Sequence, residues 1–217
     1  MNHFAILLGG ELTVTSRLRA QISGARIIAA DSGIRHATAL RIMPELWVGD
    51  FDSASEEDFE AFAGVPRETF PSAKDQTDGE LAVEMAIRQG AAKLTILGAF
   101  GGIRTDHEFL HLALGVRLAE RGLDVTLTSG SQEGRPVRYG AQAFDLAPGT
   151  LFSILAFTDL EQLSISGAEW PLDRIRMEFG SSLTISNCVT GRLEVSLGSG
   201  RALLVAQIGA NIPESMS

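Results

Sequence analysis

Apolar positions along this chain change rhythm near residue 122. Before that point, short apolar runs alternate with segments in which apolar residues recur every three or four positions. The runs are "HFAILLGG" (3–10), "RIIAAD" (26–31), "ELWVGD" (45–50) and "KLTILG" (93–98), with "RETF" (67–70) as a weaker member. Short apolar runs predict strands, and the three-to-four recurrence predicts helices near 14–22, 32–41, 55–62, 77–89 and 105–120. In the fourth of these, Leu81, Ala82, Met85 and Ala86 share one face. Strands alternating with helices predict a mostly parallel sheet with helices on its faces. After residue 122 the helical period disappears. "LDVTLTS", "RPVRYG", "LFSILAF", "EQLSISG", "IRMEFG", "SLTISN", "RLEVSLG" and "RALLVAQIG" follow at short intervals between Gly, Pro, Asp and Ser. Closely spaced strands of this kind predict an antiparallel sandwich or roll. The expected fold is thus α/β plus all-β, with residues 1–122 forming an α/β domain and 123–217 a β-sandwich domain.

Composition narrows the function. A chain of 217 residues with 45% hydrophobic residues can fill a sizeable core. No apolar run reaches the roughly 20 residues that span a bilayer, and the start of the chain has no basic leader, so neither a membrane partner nor a signal peptide is expected. Cys188 is the single cysteine, which excludes an internal disulfide and points to the cytoplasm. The net charge of −9 argues against nucleic acid, whose phosphates need a basic face. It suits a cation, or a polyanion that arrives with metal ions.

The acids are not spread evenly. Asp31, the pair Asp50 and Asp52, and Asp106 all follow apolar runs, and Asp75 and Asp78 follow "RETF" through "PSAK". In an open parallel sheet the carboxyl ends of the strands line one edge, where ligands bind. Two carboxylates ~5 Å apart at an effective dielectric of ~20 repel by roughly 3 kcal/mol, so such a gathering calls for a cation. Mg2+ fits, because it takes a few carboxylate oxygens and completes its shell with water and phosphate. Helix capping competes as an explanation. Ser53 with Glu56, Thr77 with Glu80 and Thr105 with Glu108 each match the S/T-x-x-E box. Capping accounts for the three glutamates but not for Asp50, Asp52, Asp75 and Asp78, which are the expected metal ligands. "LGAFGGIRTDHEF" adds a Gly-rich turn: Gly98, Gly101 and Gly102 let backbone N–H groups approach an anion, and Arg104 is placed to clamp a phosphate. His107, beside Asp106, is expected to orient a phosphate, to transfer a proton or to make a structural hydrogen bond.

The ordered set "ADSG", "GDFDS", "KDQTDGE", "GGIRTDH" and "WPLD…FGSSLTISN" resembles thiamine pyrophosphokinase over residues 27–205. The resemblance implies a homodimer that transfers the β,γ-diphosphate of ATP to the hydroxyl of thiamine, with Mg2+ required and AMP released. Residue by residue, it implies Asp52, Asp75, Asp78 and Arg104 as catalytic. It implies ATP contacts from Asp31, Ser53, Gln76, Thr77, Gly101, Gly102, Arg104, Asp106 and His107, and thiamine contacts from Trp170, Ser186 and Asn187. Three positions depart from the family pattern: Ser32-Gly33 after the first Asp, Ile103 inserted before Arg104, and His111 where an Asn is usual. Two other readings stand beside it. The D-x-D of "GDFDS" also suggests a Mg2+-dependent phosphohydrolase with an aspartyl nucleophile, although Ala54 stands where that motif has Thr or Val. The other is a non-catalytic sensor that binds thiamine or a nucleotide.

Overall fold

The computed structural model describes residues 2–70 and 75–209. Its sheet begins with parallel strands β1 (His3–Leu7), β2 (Arg26–Ala30), β3 (Leu46–Gly49), β4 (Arg67–Thr69), β5 (Lys93–Leu97) and β6 (Asp124–Thr128). They lie in the order β4-β3-β2-β1-β5-β6. Helices α1 (Ser16–Gln21), α2 (Arg35–Leu40), α3 (Glu56–Ala61), α4 (Asp78–Arg88) and α5 (Thr105–Glu120) form the crossovers. The strand alternation sorts side chains to two faces. Phe4, Ile6, Ile28, Val48, Leu94 and Ile96 pack under α4 and α5. Ala5, Leu7, Ile27, Ala29 and Trp47 pack under the helices of the first half, against Leu18, Ala37 and Leu40. Covered on both faces, these strands read as continuous apolar runs. The chain leaves β1 toward β2 and later returns to β5 on β1's other side, so the strand order reverses between β1 and β5. Ligands bind at such a point, beyond the carboxyl ends of the strands.

The sheet does not stop there. β7 (Gln132–Val137) runs antiparallel to β6, and β13 (Ala202–Gln207) and β9 (Leu151–Ala156) extend the same sheet. A second sheet contains β8 (Gly140–Phe144), β12 (Asn187–Leu197), β10 (Leu160–Ala168) and β11 (Leu172–Met177). β12 belongs to both: Asn187 and Cys188 pair with β9, while Leu193–Leu197 pair with β8. Its inward residues Leu193, Val195 and Leu197 meet Ile154, Leu204 and Ala206 across the sandwich. Among the described residues no helix is long and apolar enough to cross a membrane.

The α/β plus β-sandwich class is therefore observed, with all five expected helices. Four local expectations are corrected. β6, expected with the antiparallel strands, pairs parallel with β5 and completes the first sheet. "SLTISN" is a turn rather than a strand: Ile185 N bonds the Ser182 carbonyl and Ser186 takes φ 60°. β8 was not anticipated; Gly140, at φ 81°, turns the chain back between β7 and β8. Of the three capping boxes only Thr77–Glu80 forms. At α3 the box is Ser55–Asp58, and at α5 the cap is Arg104 with no side-chain bond.

Candidate active site

The acids emerge where the parallel strands end. Asp31 follows β2 directly and opens a 3-10 turn, Asp31–Ile34. Asp50, Phe51 and Asp52 follow β3. Asp31 and Phe51 both take left-handed backbone conformations, φ 44° and 64°, which residues other than glycine adopt only when the surroundings force them. The forcing contacts are visible. The buried indole of Trp47 donates from Nε1 to the Asp31 carbonyl at 2.9 Å. Its ring stacks edge-on against Phe51, 4.9 Å between centroids, and lies against Phe59 at 5.3 Å. The Asp52 amide donates to Asp50 Oδ1 at 3.3 Å, and Ser53 Oγ donates to Asp31 Oδ2.

The result is a group in which Asp31, Asp50 and Asp52 each offer a ligand oxygen, all within 4.8 Å of one another. One Asp31 oxygen, Oδ1, is buried and has no hydrogen-bond partner within the structure. An unpartnered buried carboxylate oxygen beside two more carboxylates is costly by itself and suits a hard divalent cation. Charge repulsion is felt in the titration of Asp52: Asp50 foremost, then slight burial, Asp31, a hydrogen bond to Asp50 and Asp78 raise its pKa above the usual aspartate value. Asp78, the first residue of α4, thus lies within electrostatic reach of Asp52. Asp75 and Gln76 are exposed in the bend before Thr77, whose hydroxyl and amide are taken up by the cap with Glu80. Lys74 of "KDQTD" and the "PSAK" segment lie outside the described residues.

The Gly-rich turn sits beside this group. Gly98, Gly101 and Gly102 have φ of 68°, 69° and 92°, conformations that glycine adopts without steric cost. The exit of β1 is laid along it: Gly10 N bonds the Gly98 carbonyl and Glu11 N the Phe100 carbonyl. Arg104 does not reach the acid group. Its guanidinium forms a fork on Asp106, 2.9 and 2.7 Å, with both side chains exposed, and this bond holds Asp106 well below the usual carboxylate range. Ile103 is fully exposed, so the extra residue before Arg104 is accommodated in solvent. His107 and His111 stack edge-to-face one turn apart on α5, 6.3 Å between centroids. Burial pushes the His111 pKa down, and its Nδ1 is buried without a partner.

Trp170, Ser186 and Asn187 are far from these groups. Asn187 is 3% exposed and Trp170 55%. The Asn187 amide holds the Trp170 backbone at both ends: Trp170 N donates to Oδ1 at 3.1 Å and Nδ2 donates to the Trp170 carbonyl at 2.8 Å. Asn187 is thereby committed to holding Trp170, whose side chain stands outside. Ser186 N donates to Ser153 Oγ at 3.0 Å. Register pairing runs Leu7, Leu97, Thr128, Glu133, Ala206, Phe152, Asn187. Asn187 is thus on the same rim as the carboxyl ends of the parallel strands. Seven strand spacings separate β2 from β12 in the sheet order, a path on the order of 30 Å at ~4.8 Å per strand.

Three residues with roles here went unsingled in the sequence. Trp47 donates to the Asp31 carbonyl, Arg35 to Asp58 and the Ser53 carbonyl, and His36 to the Gly10 carbonyl; only Trp47 had a local signal, a large aromatic one residue from the end of an apolar run.

Comparison with known proteins agrees with this layout. Residues 21–127 match the model of the thiamin pyrophosphokinase catalytic domain, and 143–202 match that of the thiamin pyrophosphokinase vitamin B1 binding domain. A curated thiamine pyrophosphokinase from Bacillus subtilis is 26% identical over 164 residues, covering 74% of this chain and 76% of the relative. The crystal structure of a B. subtilis thiamine pyrophosphokinase superposes with a TM-score of 0.83 at 24% identity, over 94% of this chain and 98% of that one. One from Geobacillus thermodenitrificans gives 0.80 at 22% identity, over 96% and 99%. With both domain models matched in order, and the carboxylate motifs gathered on one rim, this chain belongs to the thiamin pyrophosphokinase family.

Proposed function

We propose that this chain catalyses transfer of the β,γ-diphosphate of ATP to the hydroxyl of thiamine, giving thiamine diphosphate and AMP. The observation that carries the reading is the group of Asp31, Asp50 and Asp52 at the reversal of strand order, in a chain matched by both family models. These carboxylates, with the unpartnered Asp31 Oδ1, fit Mg2+ by donor type and by charge. Asp75 and Asp78 complete the acidic side of the site. When bound, Mg2+ supplies neutralisation of the phosphate charge and polarisation of the β-phosphorus.

The protein's own part is positioning. Gly101 and Gly102 offer backbone N–H groups to phosphate oxygens. Arg104 exchanges Asp106 for a phosphate, a change that costs little because exposed ion pairs are weak. Ser53, Gln76, Thr77, Asp106 and His107 line the nucleotide side. In the reaction the thiamine oxygen forms a bond to the β-phosphorus while the bond from that phosphorus to the α,β-bridging oxygen breaks. AMP leaves with the electron pair, and Asp52 or Asp78 accepts the hydroxyl proton. Trp170 stacks on the thiamine ring, a desolvated cation–π contact worth up to ~2 kcal/mol, with Ser186 beside it and Asn187 fixing its backbone.

The reading assigns residues 1–122 to nucleotide and metal and 123–217 to thiamine and dimerisation. Thiamine is much shorter than the path along the rim between Asp31 and Trp170, which supports a homodimer in which the acids of one copy face Trp170 of the other. Ile185, exposed in the turn just before Asn187, suits such a contact. A cytoplasmic enzyme with no nucleic-acid partner accords with the lone Cys188 and the net charge of −9.

A phosphorus-NMR time course with thiamine, ATP and Mg2+ tests this reading. Thiamine diphosphate and AMP are expected together, and both are lost in Asp52→Asn. ADP with thiamine monophosphate, or orthophosphate alone, would overturn it.

A further inference from the structure

Asp31 and the Asp50–Asp52 pair come from the ends of different strands, and they repel one another. Asp31 and Phe51, the residue between Asp50 and Asp52, also hold left-handed backbone conformations. Something outside the group must therefore set its spacing. Two neighbouring residues where α2 begins make the contacts required. Arg35 Nε donates to Asp58 Oδ2 at 3.1 Å, and its Nη2 donates to the Ser53 carbonyl. Asp58 is itself fixed in the Ser55 cap, accepting from Ser55 N at 3.0 Å and Oγ at 2.9 Å. Ser53 is the residue whose hydroxyl holds Asp31 Oδ2. One guanidinium thus anchors the end of the Asp50–Asp52 loop to α3, and through Ser53 to Asp31.

His36 makes the matching contact on the other side. Its Nε2 lies 2.9 Å from the Gly10 carbonyl; a carbonyl only accepts, so the imidazole donates. Gly9 and Gly10 pass so close to Ser32 and Gly98 that a Cβ on either would collide. Gly33 likewise abuts the Leu7 carbonyl with no room for a side chain. The end of β1 and the Asp31–Ile34 turn are therefore packed backbone to backbone at Leu7 and Gly33, and His36, just after that turn, ties it to the β1 exit loop at Gly10.

We propose that Arg35 and His36 are the positioning residues of the acid site: Arg35 sets the Asp50–Asp52 loop against Asp31, and His36 sets the β1 exit loop against the Asp31 turn. The proposal rests on the metal reading given under Proposed function. Neither residue touches substrate or metal. Each determines whether three carboxylates from two strand ends converge on one cation. Residues that orient ligands in this way typically change metal affinity 10–100-fold when lost.

The test is Mn2+ binding to the full chain without nucleotide, followed by the free-Mn2+ electron paramagnetic resonance signal, with melting temperatures alongside. His36→Leu removes the donor, and His36→Gln restores an amide N–H that can reach the Gly10 carbonyl. Arg35→Lys keeps the charge but lacks the fork that reaches Ser53 and Asp58 together. Arg19→Ala is the control. Arg19 donates to the Leu40 and Ala39 carbonyls at the far end of α2, so its loss loosens the same helix away from the acids. His36→Leu and Arg35→Lys are expected to raise the Mn2+ dissociation constant about tenfold or more. His36→Gln and Arg19→Ala should stay within about twofold of wild type, even where Arg19→Ala lowers the melting temperature. If His36→Leu does not fold, Arg35→Lys carries the test by itself. Unchanged affinity in Arg35→Lys and His36→Leu, or equal weakening in Arg19→Ala, overturns the positioning role and leaves the metal reading intact. A wild-type chain that binds no Mn2+ overturns both.

Discussion

Replacing Asn187 by alanine separates the proposed role of Trp170 from general stability. The side chain makes three hydrogen bonds: from Trp170 N, to the Trp170 carbonyl, and from Cys188 N at 2.8 Å. Net contributions near 1 kcal/mol each give about 3 kcal/mol, reduced somewhat because the half-exposed Trp170 backbone regains water on one side. For a domain of this size 1 kcal/mol moves the melting temperature by about 2–4 °C, so a loss of roughly 5–10 °C is expected. Asn187→Asp keeps the acceptor but sets a carboxylate against the Trp170 carbonyl, and it should cost at least as much. Calorimetric melts measure the stability. Initial rates at varied thiamine and varied ATP measure the function, with KM for thiamine expected to rise several-fold while KM for ATP stays put. A melting temperature within about 1 °C of wild type would refute the hydrogen-bond accounting. A rise in KM for ATP instead of thiamine would refute the placement of Trp170 on the thiamine side.

Glu133 is 2% exposed and accepts from Arg17, 2.9 and 3.2 Å, and from Gln21 at 2.6 Å, which ties α1 to β7. Glu133→Ala leaves Arg17 without its partner and should cost about 3 kcal/mol in denaturant titration, at the lower end of the range for broken buried pairs because Arg17 can turn to solvent. In Asp50→Asn one repelling charge is gone, so the melting temperature without divalent ions should rise. Wild type should gain about 2.7 kcal/mol at Mg2+ 100-fold above its dissociation constant, and the variant much less. Burial of Asp58 would raise its pKa, but the bonds from Ser55 and then Arg35 outweigh this and hold it below the usual value. A carboxylate depressed in the folded state stabilises above its unfolded pKa, about 3.9, and that contribution fades as pH falls through the folded value. The gap in melting temperature between wild type and Asp58→Asn should therefore be full at pH 6 and shrink below about pH 4; a constant gap from pH 6 to 3 would contradict it.

Local pattern determined much of this protein. Most strand and helix positions in the first half follow from apolar periodicity because β1, β2, β3 and β5 are buried on both faces and α4 and α5 on one. Thr77–Glu80 was legible because a capping box spans only four residues. That acids would gather on one rim also followed, since parallel strands must all end on the same side. Tertiary structure decided the rest. Which carboxylates come together depends on strand order: β2 and β3 are neighbours, so Asp31 joins Asp50 and Asp52. Asp78 comes within electrostatic reach of Asp52 as the first residue of α4. Sequence spacing carries no record of strand order. Arg35 and His36 left no mark in the sequence because their partners, Asp58 and the Ser53 and Gly10 carbonyls, lie 18 to 26 residues away along the chain. The turn at 183–186 read as a strand because its β-branched and apolar residues alternate; Thr184 is buried against the Ile154 carbonyl, and a single left-handed residue at Ser186 outweighs the alternation. The path along the rim from the acids to Asn187, and to the Trp170 it holds, is set by the seven strand spacings between β2 and β12, and no stretch of sequence contains it.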